Sequence, residues 1–345
     1  METDMFPAEQ AVSRPESGRS LEAVRHLPHF RRGARDQLGP KAGDPFDQIR
    51  SRFRDAFTPA QPVIRRQCFA GRSEMLRRLV SGIEDQRLHA IVYGDRGIGK
   101  TSLLHVLAET AREAGYLVLY ESCDAATSFD ELFRSVLSQI SRIYHGGTAP
   151  VDVEAGATLL DMVPAGAQLS PRMATELLAA VSGLRVIVML DEFDRATSRE
   201  FRRAVAELIK NLSDRCARVQ LVVAGVAANF SELVEHVPSI RRNVLSLELP
   251  RMTVAEVDEI ISIGADESGL RFSGDARARI CGLSHGYPYI ATLLAHHAGL
   301  AAIDRLAGEV STVDVAAAVG ELDAYTSLYT PTATAQESRL TAPGL

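Results

Sequence analysis

The run Gly94-Asp95-Arg96-Gly97-Ile98-Gly99-Lys100-Thr101 fills each fixed position of the phosphate-binding P-loop. Its chemistry is anion capture. Glycines at 94, 97 and 99 let the backbone turn its N–H groups inward around phosphate oxygens, where a Cβ would crowd the anion or forbid the torsions. Lys100 is placed to bridge the β- and γ-phosphates, and the Thr101 hydroxyl to complete a Mg²⁺ shell. Lys100 is also the only lysine between Lys41 and Lys210, in a chain that otherwise takes its positive charge from arginine. A compact ammonium is what this position requires, and a planar guanidinium does not imitate it. Gly94, Asp95, Arg96, Gly97, Ile98, Gly99, Lys100, Thr101 and Ser102 are therefore the candidate nucleotide-binding residues. Farther on, Val186-Ile187-Val188-Met189-Leu190 runs into Asp191-Glu192-Phe193-Asp194, a Walker B pattern. Asp191 is placed to hold Mg²⁺, mainly through water, and Glu192 to polarise a water for in-line attack on the γ-phosphate.

These side chains need a strand–loop–helix frame to converge. Ala90-Ile91-Val92-Tyr93 reads as a buried strand, and Ser102 to Ala108 begins a helix whose N-terminal dipole favours an anion. The five apolar residues before Asp191 form a strand buried on both faces, with the carboxylates at its C-terminal end, where ligands bind in α/β sheets. Tyr116–Tyr120, Val219–Val223 and Val244–Leu249 read as further strands, and Ser128–Tyr144, Pro171–Ser182 and Phe201–Leu212 as helices. This alternation predicts an α/β three-layer sandwich with a parallel sheet over residues 67–250. Residues 145–170 are rich in Gly, Ala and Pro and hold no Lys or Arg, which predicts a surface insertion. After Pro250 only helical signals remain, opening on Thr253 as N-cap with Glu256 at the capping-box position. They predict a small all-helical lid at 251–323.

The chain has 345 residues, 46% of them apolar, enough for one large core and a smaller satellite. The N-terminus lacks a signal segment, and the longest apolar stretch, Tyr287–Ile303, is interrupted by His296 and His297, so no membrane role is expected. Cys68, Cys123, Cys216 and Cys281 are scattered without metal spacing, as reduced thiols of a cytoplasmic protein would be. The net charge of −6 is uneven: residues 1–66 hold 12 Lys/Arg against 9 Asp/Glu, and the remainder 26 against 35. That arginine-rich leader predicts disorder up to about residue 45. Phe46, Ile49, Phe53 and Phe57 then recur at helical spacing, with Arg50, Arg52 and Arg54 on other faces. The short amphipathic helix near 45–57 either packs on the parent domain or docks a partner or nucleic acid, and Pro59 and Pro62 predict an extended linker after it. The tail, 324–345, is expected to be disordered.

This order of segments resembles the AAA+ ATPases, and within them the bacterial proteins with an origin-recognition-complex-like ATPase domain, related to the STAND ATPases. The resemblance covers about residues 64–323. It implies ATP as the nucleotide. Phe69-Ala70-Gly71-Arg72-Ser73-Glu74 looks like the family's box ahead of the P-loop, which implies that Gly71 and Arg72 lie against the adenine. Leu190-Asp191-Glu192-Phe193-Asp194 resembles the family's Walker B, including its hydrolytic glutamate. Arg241 and Arg242, in Ser239-Ile240-Arg241-Arg242-Asn243, match the place of an arginine finger acting on a neighbouring subunit, although surface arginines at a helix end would look the same. At the sensor-1 position Ala224-Gly225-Val226-Ala227-Ala228 departs from the usual polar residue and leaves Asn229 as the candidate. Gly286-Tyr287-Pro288 is similar to the signature of STAND-like lids, but no sensor-2 arginine follows, which leaves His285 or the Pro288 backbone as the candidates for nucleotide sensing, although a plain helix-start turn would look the same.

The reading that results is a Mg²⁺-dependent, self-associating ATPase whose turnover drives assembly or remodelling of a client protein or a DNA complex. One alternative is a nucleotide-dependent switch or scaffold with little turnover. Another is a DNA-associated loader or transposition-type ATPase, for which the arginine-rich leader would supply the contact.

Overall fold

Mostly apolar stretches of five to eight residues give the strands β1 (His89–Gly94), β2 (Leu117–Ser122), β3 (Val186–Asp191), β4 (Val219–Val226) and β5 (Val244–Glu248). The computed structural model describes residues 45–64, 66–148, 156–227 and 238–329. The five strands form one parallel sheet in the order β2-β3-β4-β1-β5. β3 lies second from the edge and each of its residues is buried, which is what its unbroken apolar sequence requires.

Alternation along the strands divides the core in two. Ala90, Val92, Ile187 and Met189 pack with Leu79 and Ile83 of α2 (Ser73–Glu84) and Leu103, Leu104 and Leu107 of α3 (Lys100–Glu113). Ile91, Val188 and Leu190 point the other way, onto α4 (Phe129–Ser138), α5 (Pro171–Ala179) and α6 (Arg199–Asp214). Serines 128, 170 and 198 cap α4, α5 and α6 by accepting from the backbone N–H three residues on. The result is the expected three-layer α/β sandwich.

Two parts of this sandwich differ from the sequence reading. The helix expected over Ser128–Tyr144 stops at Ser138, because Ser141 pairs with Thr158 and the Arg142 N–H donates to the Ala157 carbonyl. The segment expected as a surface insertion buries Leu159, Val163 and Leu169 in its described part. A capping box between Thr158 and Asp161 and the bond from Leu169 N–H to Asp130 fix that part against α4.

Beyond the sheet come α7 (Val254–Ser268), α8 (Gly274–Ser284), α9 (Pro288–Asp304) and α10 (Thr312–Tyr329), with the expected capping box of Thr253 and Glu256 at the start of α7. This helical region also contains a minimal parallel ladder, β6 (Arg271–Phe272) with β7 (Glu309–Val310), where the sequence showed only helical signals. α10 runs past residue 323, where a disordered tail was expected, to Tyr329.

The amphipathic helix forms as α1 (Pro45–Ala56), and the first of its two expected roles holds: it packs on the helical region. Phe53 and Phe57 are fully buried there, with ring centroids 4.9 Å apart. Each ring fills a hole made by a missing side chain. A Cβ at Gly299 of α9 would overlap the Phe53 ring, and one at Gly264 of α7 would overlap that of Phe57. His296 closes the joint by donating from Nδ1 to the Phe57 carbonyl at 2.7 Å. Within the expected leader, α1 is thus seated on the helical region. The part of the leader before residue 45 and the tail after residue 329 lie outside the described residues.

Candidate active site

The P-loop leaves β1 and enters α3 at the carboxyl edge of the sheet. Gly94 and Gly99 hold φ of 146° and 96°, and a Cβ on Gly94 would come within 2.8 Å of the Leu249 carbonyl oxygen, so the loop's tight course depends on glycine. Lys100 is 9% exposed and its ammonium donates to the carbonyls of Gly94 (2.9 Å) and Asp95 (2.8 Å). Burial lowers its pKa from the ordinary lysine value, against the pull of Asp194, Asp191 and Asp95. The side chain is thereby stretched along the inside of the loop, and the first-turn N–H groups of α3, which have no intrahelical acceptor, stand beside it.

The two adjacent carboxylates of the Walker B segment have different surroundings. Asp191, the last residue of β3, is 4% exposed: its Oδ1 accepts the Glu192 N–H at 2.8 Å and its Oδ2 the Tyr120 hydroxyl at 2.6 Å. Burial, and after it the bond to Asp191, push the Tyr120 phenol far above its usual range. Glu192 turns out of the strand with a φ of 52°. Its Oε2 pairs with the Arg195 guanidinium at 2.8 Å and accepts from Ser122 at 3.3 Å. Asp194 is tied down by the Val226 N–H at 2.7 Å, which joins the segment after β3 to the end of β4.

Lys100, Thr101, Ser102, Asp191 and Glu192 all line one cavity of about 550 Å³, a volume suited to a nucleotide. Its other end is apolar and is built by Phe69, Met252, Ile260, Ile263 and the backbone that follows α1. Residues 58–63, expected as a plain linker, form one wall of the cavity, and the Val63 N–H donates to Ser102 Oγ at 3.1 Å. The helical region closes the top. Pro288, at the first turn of α9, packs over Gly99, and Tyr289 packs over Gly97. Of the two residues expected to carry lid sensing, Pro288 lines the cavity, whereas His285 is exposed and outside its lining.

Several expected nucleotide contacts are placed elsewhere. Gly71 is outside the cavity, its N–H donating to Glu259 at 3.0 Å, so it joins the sandwich to α7. Arg72 does line the cavity: it is 3% exposed, donates to the Pro250 carbonyl at 2.5 Å, and leaves Nε without an acceptor. Ile98 is buried in the core and can offer a ligand only its backbone. The Asp95 side chain turns away to accept from the Tyr287 hydroxyl at 2.8 Å, with Arg251 stacked 4.7 Å above the Tyr287 ring. Arg241 and Arg242 are exposed and do not line this chain's cavity. Asn229 lies outside the described residues. Tyr120, Arg195 and residues 58–63 were not anticipated, since nothing local in the sequence ties them to the motifs.

A parallel sheet with a phosphate loop at its carboxyl edge, paired carboxylates two strands away at the end of β3 and helices closing over both is a P-loop fold of the AAA+ type. Residues 69–223 match the family model of the AAA ATPase domain. The Orc1 protein of Aeropyrum pernix, solved in complex with DNA, is 21% identical, with a TM-score of 0.50 over 81% of this chain and 72% of that one. Drosophila ORC bound to DNA gives a TM-score of 0.57 at 14% identity, covering 86% of this chain and 70% of that one. Cdc6p from Pyrobaculum aerophilum gives 0.54 at 16%, covering 78% and 70%. No curated protein matches the sequence. Among the described residues, no helix is long and apolar enough to cross a membrane.

Proposed function

We propose that the chain binds ATP with Mg²⁺ in the 550 Å³ cavity, hydrolyses it to ADP and phosphate, and uses the cycle to assemble or remodel a complex of a partner protein or DNA. The observation that supports this most is the convergence of Lys100 and Thr101 from the start of α3 and of Asp191 and Glu192 from the end of β3 on that cavity. In this reading the P-loop N–H groups and Lys100 hold the phosphates, Arg72 and the apolar wall hold the base, and Pro288 lies near the phosphates. Thr101 Oγ1 and, through water, Asp191 would hold the metal, which when bound neutralises phosphate charge. Glu192 takes the proton of the attacking water. Arg241 or Arg242 completes the site of a neighbouring copy, which their exposure permits.

Lys100→Ala is expected to abolish nucleotide binding in an equilibrium titration. Glu192→Gln is expected to bind ATP while losing turnover by about 10²–10⁴-fold. Unchanged turnover in Glu192→Gln removes the assignment of the base.

A nucleotide-controlled switch is the second reading, and the contact that favours it is the Glu192–Arg195 pair, which occupies the base with a guanidinium. The DNA-loader reading draws on the arginine-rich leader and on the DNA complexes of the Orc1 and ORC structures. Salt-sensitive DNA retention that vanishes on deleting residues 1–44 would support it; no retention at low salt contradicts it.

A further inference from the structure

The two residues placed to hold the metal come from different elements: Thr101 from the first turn of α3 and Asp191 from the end of β3. Their relative position has to be set by something that touches both elements, and Tyr120 of β2 does so. In the parallel ladder Tyr120 stands opposite Met189 and Ser122 opposite Asp191. Residues 189 and 191 share a face of β3, so the phenol of Tyr120 reaches one step forward on that face to donate to Asp191 Oδ2 at 2.6 Å. α3 packs over the same face, and the Tyr120 ring stacks flat on His105, with centroids 4.7 Å apart and planes 8° from parallel. His105 lies four residues after Thr101, hence one turn along the same side of the helix. The Glu192 N–H holds the other oxygen of Asp191, so the hydroxyl of Tyr120 completes the fixing of that carboxylate.

We infer that Tyr120 is a positioning residue for divalent-metal capture. Its hydroxyl fixes the orientation of Asp191, and its ring spaces α3, with Thr101, from β3. It stands outside the cavity lining and acts only through these two partners. This rests on the proposed Mg²⁺–nucleotide site and concerns a hydrogen bond that the P-loop and Walker B patterns do not specify. Partners that orient metal ligands typically contribute 10–100-fold in metal affinity.

The test is an equilibrium titration of the full chain with a fluorescent, slowly hydrolysed ATP analogue, in EDTA and across a Mg²⁺ series. Tyr120→Phe retains the stacked ring and removes only the hydroxyl. The expected result is a Mg²⁺ midpoint raised by about 10-fold with affinity in EDTA within twofold of wild type. His105→Ala, which removes the stacking surface and leaves the hydroxyl, shifts the midpoint in the same direction. A Tyr120→Phe midpoint within twofold of wild type overturns the inference, as does an equal loss of affinity with and without Mg²⁺, which would mean a merely structural role. If wild type itself binds the analogue without any Mg²⁺ dependence, the reading of the whole site fails with it.

Discussion

Glu192 and Asp191 are adjacent in sequence and do unlike things because the chain turns between them. Asp191 ends a buried strand with both oxygens engaged, whereas Glu192, at a φ of 52°, stands half exposed at the cavity with Arg195 and Ser122 on one oxygen. A guanidinium on the carboxylate competes with the water that the proposed base would take, so Arg195→Ala is expected to raise turnover several-fold in a steady-state phosphate-release assay, with ATP affinity little changed; a fall in turnover would mean that Arg195 assists the reaction. His89, inside β1, is a second residue whose behaviour follows from its place. Burial drives its pKa down to about 4, and its Nδ1 accepts the Leu221 N–H at 2.9 Å, which requires the neutral ring. The unfolded chain takes up that proton near pH 6.5 and the folded chain only near 4, so this contribution is whole above 6.5 and is lost as pH falls through that window. Chemical denaturation should register a loss of roughly 3 kcal/mol across it. His89→Asn, which keeps an acceptor in place without titrating, should flatten that slope.

At the level of elements, α1 and the strand of backbone after it connect the helical region to the nucleotide cavity. Phe53 and Phe57 sit in the gaps left by Gly299 and Gly264, and residues 58–63 continue directly into the cavity wall. Replacing either phenylalanine with alanine should cost about 3–5 kcal/mol in thermal or denaturant unfolding. Gly299→Ala, which adds one methyl group against the Phe53 ring, should also destabilise; a neutral effect would mean that α1 is not seated there. The phosphate loop, the Walker B strand and the α/β layering were legible in the sequence because each is written in consecutive residues: glycines at fixed spacing, an apolar run before two acids, strands alternating with helices. The amphipathic period of α1 was legible too, but not the surface it covers, since Gly264 and Gly299 are holes only after α7 and α9 have packed. Leu159, Val163 and Leu169 read as insertion residues in sequence, and their burial comes only with tertiary packing into the core that α4, α5 and α6 share. Local sequence marks Tyr120 only as a strand residue, and its bond to Asp191 depends on the β2–β3 register, which local sequence does not carry.

For the whole molecule, the cavity gathers within one chain the groups proposed for binding and for activating water, Lys100, Thr101, Asp191 and Glu192, while Arg241 and Arg242 lie outside it. In the proposed cycle a second copy brings one of these two guanidinium groups to the transferred phosphoryl group. Light scattering after gel filtration should find a larger assembly with Mg²⁺ and a slowly hydrolysed ATP analogue than with ADP or no nucleotide. Arg241→Ala combined with Arg242→Ala should leave ATP affinity intact while lowering turnover by about 10³-fold or more. A monomer under all three conditions would move the account toward the switch reading or toward a site completed by a partner. The measurement that bears most directly on the central claim is a side-by-side determination of Mg²⁺–ATP affinity and phosphate release for wild type, Lys100→Ala and Glu192→Gln. The account predicts tight binding by wild type and Glu192→Gln, turnover by wild type alone, and neither by Lys100→Ala; absence of ATP binding by wild type, or binding unaltered in Lys100→Ala, would contradict it.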